Sequence, residues 1–379
     1  WSAKEMSKKK ILLLVPAESA SGGIKHYYQV LKSKFTLPVE YVHRGARNWP
    51  YHEGKFAETK RIFTDYLSFY RKLKTGEYCM IQTSTSFGWA ALFRDGIFIL
   101  IAKSLGVKTV VFYRGWNDKV RVKLEKRGLG LFKIAFFKTD ATLTLSNEVK
   151  QKLLDWGYKK PIHVETTLFD ESLLDGIDID QHLSSKFNSK KNGFNILFLA
   201  RVEKEKGIFE AIRAIKTLQE KNPEQNISFT LAGSGRAEEE ITQLVAEMEV
   251  KNVSILGHVQ GATKRDAYLA ADCYLFPTYR EGMPNSILEA MAFGLPIISR
   301  PVGSIPEIVK TENGFLSDSL EPAVFAEFLQ QLVDNPALRK EMSFINGNFA
   351  KQNFYSSQVL QRLEKIYQEV GYGATDTRA

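Results

Sequence analysis

Short apolar runs of the buried-strand type alternate along this chain with longer stretches whose apolar positions recur at helical spacing. That alternation predicts strands and helices taking turns, and hence an α/β protein with parallel, doubly wound sheets. In the first part, strands are expected at Lys9 to Pro16, Val39 to His43, Tyr78 to Thr83, Lys108 to Tyr113, Ala141 to Leu145 and Ile162 to Thr166. Helices are expected from Ile24 to about Ser33, Phe56 to Leu73, Phe87 to Leu105 and Asn147 to Trp156. The stretch Val120 to Lys138 mixes Lys and Arg with Phe and Leu, which suits either an internal packing face with solvated lysines or a surface lying against anionic headgroups.

From Phe169 to Gly193 the pattern breaks, first into an acidic stretch and then into one rich in Ser, Lys and Asn. A chain of 379 residues is too long for one ordinary core. The break, residues 171–193, is therefore read as a connection between a domain of residues 1–170 and one of residues 194–355. In the second domain strands are expected at Asn195 to Leu199, Ile227 to Leu231, Val253 to Leu256, Cys273 to Pro277 and Pro296 to Arg300, with helices starting at Ile208 and Ala237. Pro322 to Val333 and Pro336 to Phe354 read as closing helices, and residues 356–379 as an amphipathic helix with a tail.

Charge changes this picture, because it is uneven. Residues 1–170 hold 30 Lys and Arg against 15 Asp and Glu, whereas the remainder holds 22 against 28. A basic first half predicts an anionic partner for that half. Cys79 and Cys273 lie far apart, each in an expected strand, and are read as reduced thiols. The start KKKILLLVPAESA has the ingredients of a secretion signal, but its apolar core is short and a first buried strand looks the same; the strand is preferred. No stretch reaches the roughly 18 apolar residues of a membrane span. Residues 1–5, ahead of Met6, are expected to be a remnant of expression, and the tail GATDTRA is read alike.

The chemistry concentrates between Thr278 and Glu307. A buried strand ends at Pro277, a polar turn follows, Pro284 is expected as the first residue of a helix, and Gly294 followed by Pro296 ends it. The turn and the helix start thus lie at the carboxyl edge of a sheet, where ligands bind in open α/β folds. Glu281 is on the turn; Glu289 is expected with Asn285 on the polar side of the helix, opposite Ile287, Leu288 and Met291. Amides of Asn285 and Ser286 at the helix start suit a phosphate. Two carboxylates flanking an anion site fit a nucleotide sugar, with diphosphate on the amides and hydroxyls on the carboxylates.

The same residues, Glu281 and Glu289 within EGMPNSILEAMAFGLPII and followed by GSIPE, resemble the signature of the family 4 retaining glycosyltransferases, which bacteria use in polysaccharide and other glycan biosynthesis. The resemblance implies the GT-B fold: two Rossmann-like domains facing a cleft, acceptor on the first and nucleotide sugar on the second, with a last helix crossing back to the first. It assigns the donor hexose to Glu281, the ribose to Glu289, and donor contacts to Gly282, Met283, Asn285 and Ser286. It matches Arg201 and Lys206 to the family's diphosphate-binding cations, which would stabilise a leaving nucleoside diphosphate without a metal. Gly22 and Gly23, at the first strand-to-helix turn, match its Gly-Gly facing the donor diphosphate. Val259, after Gly257-His258, stands where members contact the base, although a packing role suits it equally.

One departure concerns the acceptor side. Many members have a histidine after the fourth strand, where this chain has Arg114-Gly115-Trp116. Arg114 is read as a candidate for an acceptor phosphate, alongside Arg44 and Arg47 in a basic loop. The function expected is therefore retaining, metal-independent transfer of a hexose from a nucleotide sugar to a saccharide or lipid-linked acceptor. No cofactor, no metal site and no nucleic-acid partner are expected, and the site of action is expected to be cytoplasmic, peripheral at the inner face of the plasma membrane. The alternatives are another enzyme of the same fold, such as a nucleotide-sugar epimerase or a phosphorylase with a pyridoxal-phosphate lysine, or a non-enzymatic nucleic-acid-binding protein. Binding of NAD is disfavoured, because Gly233-Ser234-Gly235 lacks a third glycine at Glu238.

Overall fold

A computed structural model describes residues 9–20, 22–45, 54–189 and 193–372. The chain divides into two compact units, residues 1–167 with 356–379, and residues 168–355. Each unit is built on a six-stranded parallel sheet among the described residues.

In the first unit the strands are β1 (Lys10–Pro16), β2 (Val39–Arg44), β3 (Tyr78–Ser86), β4 (Lys108–Gly115), β5 (Ala141–Thr144) and β6 (Ile162–Val164), in the order β2-β1-β3-β4-β5-β6. The helices are α1 (Gly23–Leu31), α2 (Lys55–Lys74), α3 (Trp89–Ser104), α4 (Asp118–Arg127), α5 (Leu129–Phe136) and α6 (Asn147–Asp155). Residues Ile11 to Leu14 are wholly buried, as a central strand covered on both faces requires. The stretch Val120 to Lys138 is two helices meeting at Gly128. Their inner sides join a ring cluster in which Phe87, Trp116, Phe132 and Trp156 pack at centroid separations of 4.1 to 6.2 Å.

The second unit holds β7 (Phe194–Leu199), β8 (Ile227–Ala232), β9 (Val253–Gly257), β10 (Cys273–Phe276), β11 (Ile297–Ser299) and β12 (Gly314–Leu316), in the order β12-β11-β10-β7-β8-β9. Its helices are α7 (Ile179–Asn188), α8 (Ile208–Lys221), α9 (Glu238–Glu247), α10 (Gly261–Ala270), α11 (Asn285–Ala292), α12 (Ile305–Ile308), α13 (Pro322–Asp334) and α14 (Pro336–Asn353). The strand order reverses between β7 and β10, so the helices that follow those two strands lie on opposite faces of the sheet, and the loops leading to them meet at the carboxyl edge, where such a reversal leaves a crevice.

Residues 171–193, expected as a connection, contain α7, whose Ile179 and Leu183 are buried in the second core. Leu183 packs against Gly294 and Gly347, and the acidic residues that suggested a linker serve as caps: Asp178 accepts from the amides of Asp180 and Gln181. The last helix, α15 (Ser356–Val370), belongs to the first unit. Glu364 takes the Thr36 and Leu37 amides and the Thr36 hydroxyl, Arg362 pairs with Glu165, and the Tyr367 hydroxyl donates to Gln82 Oε1 at 2.8 Å. Both cysteines are unbridged, and burial pushes the Cys273 thiol well above its ordinary range. No helix of the described residues is long and apolar enough to cross a membrane.

Candidate functional site

The loops after β7 and β10 meet over the strand-order reversal, and they bring Lys206 to Glu281. Lys206 Nζ donates to Glu281 Oε1 at 2.5 Å, with the two side chains 15% and 12% exposed. The Thr278 hydroxyl lies 3.2 Å from the same carboxylate oxygen and 3.2 Å from the Glu205 carbonyl, which also accepts the Tyr279 amide at 2.9 Å. Two close approaches hold these loops together. Gly207 has φ of 75°, and a Cβ there would stand 2.1 Å from the Pro277 carbonyl oxygen. Gly303 has φ of 60°, and a Cβ there would stand 2.3 Å from the Glu281 carbonyl oxygen. Any larger residue at either place would drive the Glu281 loop from its seat. Ser304 then fastens the same loop, donating from its amide and its hydroxyl to the Gly282 carbonyl.

Arg201 is 69% exposed and pairs with Glu203 at 2.9 Å. It lines an open pocket of about 430 Å³ together with Lys204, Glu205 and Arg236. Lys206 is thus enclosed by its neighbours, whereas Arg201 is exposed and held by Glu203.

Two expectations about α11 are corrected. Pro284 is the capping residue ahead of the helix, not its first residue, because α11 begins at Asn285. Glu289 does not lie on a polar face: Ile287 to Ala292 are all buried, and Glu289 is 5% exposed. Its charge is compensated inside the protein, Oε1 by Lys264 at 2.6 Å and Oε2 by the Tyr268 hydroxyl at 2.8 Å. Burial and the neighbouring carboxylate push the Tyr268 phenol well above its ordinary range, so it stays a hydrogen-bond donor. Lys264 and Tyr268 were missed in the sequence, although their spacing of four puts them on one face of α10.

Gly282, Met283, Asn285 and Ser286 are half-buried beside this pair, at the start of α11. The Ser286 hydroxyl lies 2.7 Å from that of Tyr274, which is 2.8 Å from the Leu199 carbonyl; the helix start is thereby tied to the end of β7. Val259 is 8% exposed and packs in the second core. His258 pairs with Gln260 at 2.7 Å.

In the first unit, Gly22 caps α1 and Gly23 begins it. Arg114, near the end of β4, lies over the Tyr27 ring at 4.0 Å and the Phe112 ring at 4.5 Å and donates to the Thr167 hydroxyl at 3.2 Å. Its Nη1 is buried without a hydrogen-bond partner among the described residues. Arg44, expected to meet an acceptor, is instead a core residue, 5% exposed. It pairs with wholly buried Asp95 at 3.4 Å and donates to the Ser84 carbonyl, while Arg94 and the Thr85 hydroxyl complete the carboxylate's partners. The cause is topological: Arg44 is the last residue of β2, and its side chain reaches Ser84 on β3 and Asp95 on α3. Arg47, residues 1–5 and the tail 373–379 lie outside the described residues. Among the described residues no group of three or more His, Cys, Asp or Glu is placed to hold a metal ion.

Residues 180–346 match the family described as glycosyl transferases group 1. The chain is 28% identical over 246 residues to the capsular polysaccharide biosynthesis glycosyltransferase CapM of Staphylococcus aureus, a match covering 62% of this chain and 63% of CapM. It is 23% identical to the putative teichuronic acid biosynthesis glycosyltransferase TuaC of Bacillus subtilis, over 73% of this chain and 68% of TuaC. Among solved structures, Anabaena HepE in complex with UDP and glucose superposes with a TM-score of 0.68 at 16% identity, over 95% of this chain and 99% of HepE. The fold is therefore the GT-B fold, and the similarity to glycosyl transferases group 1 covers residues 180–346, less than half of the chain.

Proposed function

We propose that this protein is a retaining glycosyltransferase of bacterial polysaccharide biosynthesis, moving a hexose from a nucleotide-diphosphate sugar to a saccharide or lipid-linked acceptor. The observation that carries the reading is the meeting of Lys206 and Glu281 over the strand-order reversal of the group 1 domain. A cation and a carboxylate held side by side match the two halves of such a donor: the diphosphate is anionic, and the sugar offers hydroxyl donors. The names of CapM and TuaC support the polysaccharide setting, and the UDP and glucose bound to HepE support the donor class.

In this reading Lys206 and Arg201 neutralise the diphosphate, and Glu281 accepts hydroxyl hydrogens of the hexose. Glu289, already anchored by Lys264 and Tyr268, uses its remaining lone pairs for the ribose. The amides at the start of α11, at Asn285 and Ser286, face the phosphates. The bond from C1 to the diphosphate oxygen breaks, a bond from the acceptor oxygen to C1 forms on the same face, and the acceptor's proton passes to the departing diphosphate. The charge that develops on that diphosphate is met by fixed cations, so no divalent ion is required. The basic first unit supplies the acceptor side, with Arg114 for an anionic acceptor group, and draws the protein to the anionic cytoplasmic face of a membrane.

The test is thermal stabilisation of the purified protein by a panel of nucleoside diphosphates and nucleotide sugars, with and without EDTA. A shift with one nucleotide series, unchanged by EDTA and lost in Lys206→Ala, is expected. Absence of any shift across the panel would sink the donor-site assignment.

A further inference from the structure

Helices α3 and α5 cross at Gly96, where a Cβ would meet that of Ala135 at 3.4 Å. Beyond this crossing the helices carry large apolar side chains that the fold does not cover. Trp89 and Phe93 on α3 are 48% and 69% exposed, and Leu131 and Ile134 on α5 are 70% and 52% exposed. Trp89 and Phe93 are four residues apart and Leu131 and Ile134 three, so each pair lies on one helix face. Between them opens a groove of about 160 Å³ whose lining is entirely apolar side chains and glycine. Such a patch is not what a monomer ordinarily leaves to water. Helix α2, which packs beside α3, also exposes Phe56 and Phe63, at 85% and 67%.

The rim is cationic. Helix α4 runs into α5 through Gly128 and exposes Lys123, Lys126 and Arg127, for which no ion pair is found among the described residues. The acidic residues of the same helix are already engaged, Asp118 by Arg121 and Glu125 by Arg121 and Lys152. Lys123 and Arg127 directly precede Leu124 and Gly128, which line the groove. An apolar strip on α3 and α5, edged by lysine and arginine with no ion pair among the described residues, matches an anionic bilayer in both polarity and charge. A protein partner would need a complementary acidic rim as well as a plug for the groove.

We propose that the α3–α5 face docks the first unit on a bilayer rich in anionic lipid. Phe93 and Leu131 enter the acyl layer, Trp89 sits at its boundary, and Lys123, Lys126 and Arg127 lie among the headgroups. The inference stands on this face alone, and it makes the membrane attraction of the transferase reading a matter of particular side chains.

The experiment is co-sedimentation of the full chain with vesicles of phosphatidylcholine, with and without 30% phosphatidylglycerol. Binding to the anionic vesicles is expected, weakened by salt, and reduced at least tenfold in Phe93→Glu/Leu131→Glu. Both side chains are largely exposed, so the variant should melt as wild type does, and the nucleotide-induced thermal shift should persist in it. Tryptophan emission should be quenched by lipid brominated in the acyl chain, and less so in Trp89→Phe. Failure of the wild type to sediment, or equal binding by the double variant, overturns the proposal. So does a dimer in analytical ultracentrifugation that the same substitutions dissolve, since the face would then join two copies. Vesicle binding without any nucleotide effect would refute the transferase reading and leave this one standing.

Discussion

Lys206 and Glu281 lie 75 residues apart in sequence, yet their charged atoms are 2.5 Å apart at the strand-order reversal of the second sheet. Each is the other's counter-charge in a place that water reaches poorly. Lys206→Met or Glu281→Gln alone leaves one charge without its partner and is expected to cost about 1–3 kcal/mol in urea unfolding. The double substitution removes both charges and should recover most of that loss, whereas transfer activity should stay at least about 100-fold down in all three variants. Substantial activity in the double variant would show that the pair is structural only.

Glu289 combines a structural role with a proposed ligand role, and the two separate experimentally. Lys264→Met removes one partner of a buried carboxylate and should lower stability by about 1–3 kcal/mol, with the nucleotide affinity changed little. Glu289→Gln should lower both. If Glu289→Gln binds the nucleotide as wild type does, the ribose assignment fails.

Gly303→Ala places a methyl group against the Glu281 carbonyl at a φ that L residues rarely adopt. Differential scanning calorimetry should show destabilisation of more than about 1 kcal/mol. The Glu281 loop should move, so donor-induced stabilisation should weaken even though no donor contact is deleted. An unchanged melting profile would mean the loop is looser than these contacts imply.

Arg114 lies over the Tyr27 and Phe112 rings while donating to Thr167, a set of contacts that a guanidinium makes at once and an ammonium does not. Arg114→Lys should raise the KM for an anionic acceptor about tenfold, and the nucleotide-induced shift should remain. Loss of the nucleotide shift instead would reassign Arg114 to the donor.

Glu40 provides an acid-dependent contribution. The hydrogen bond from Lys72 leads in holding its carboxyl down at about 2, against opposing desolvation and with further help from Tyr78 and Lys10. Because the folded-state value lies below the ordinary carboxyl value, the stabilisation is complete above about pH 5 and is lost as pH falls toward 2. In urea melts, the difference between wild type and Glu40→Gln should be largest near neutrality and shrink on going from pH 5 to pH 3. A difference independent of pH would remove Glu40 from the acid response.

Apolar runs and helical periodicity alone specified eleven of the twelve strands among the described residues and most of the helices, because they are local signals that burial on two faces imposes; the three-residue β12 was too short to leave one. Between Thr278 and Glu307 turn residues, proline and glycine likewise specified a loop and a helix over a short span. The sequence by itself could not determine which charged residues end up inside. Arg44 reads as part of a basic loop, but the pairing of β2 with β1 makes it the end of a strand and places it against Asp95, a partner 51 positions later. Glu289 reads as the polar face of an amphipathic helix, but Ile287 to Ala292 of α11 are all buried and the carboxylate is paired with Lys264 and Tyr268. The acidic run before the second domain reads as a linker until packing shows α7 seated on Gly294 and Gly347. Val120 to Lys138 reads equally as a packing face or as a surface against headgroups, since periodicity tells which residues share a helix face but not whether anything covers it, nor that Trp89 and Phe93 of α3 lie beside it. Local pattern specifies elements; burial of a charge depends on partners far away in sequence, and only the tertiary structure brings those together.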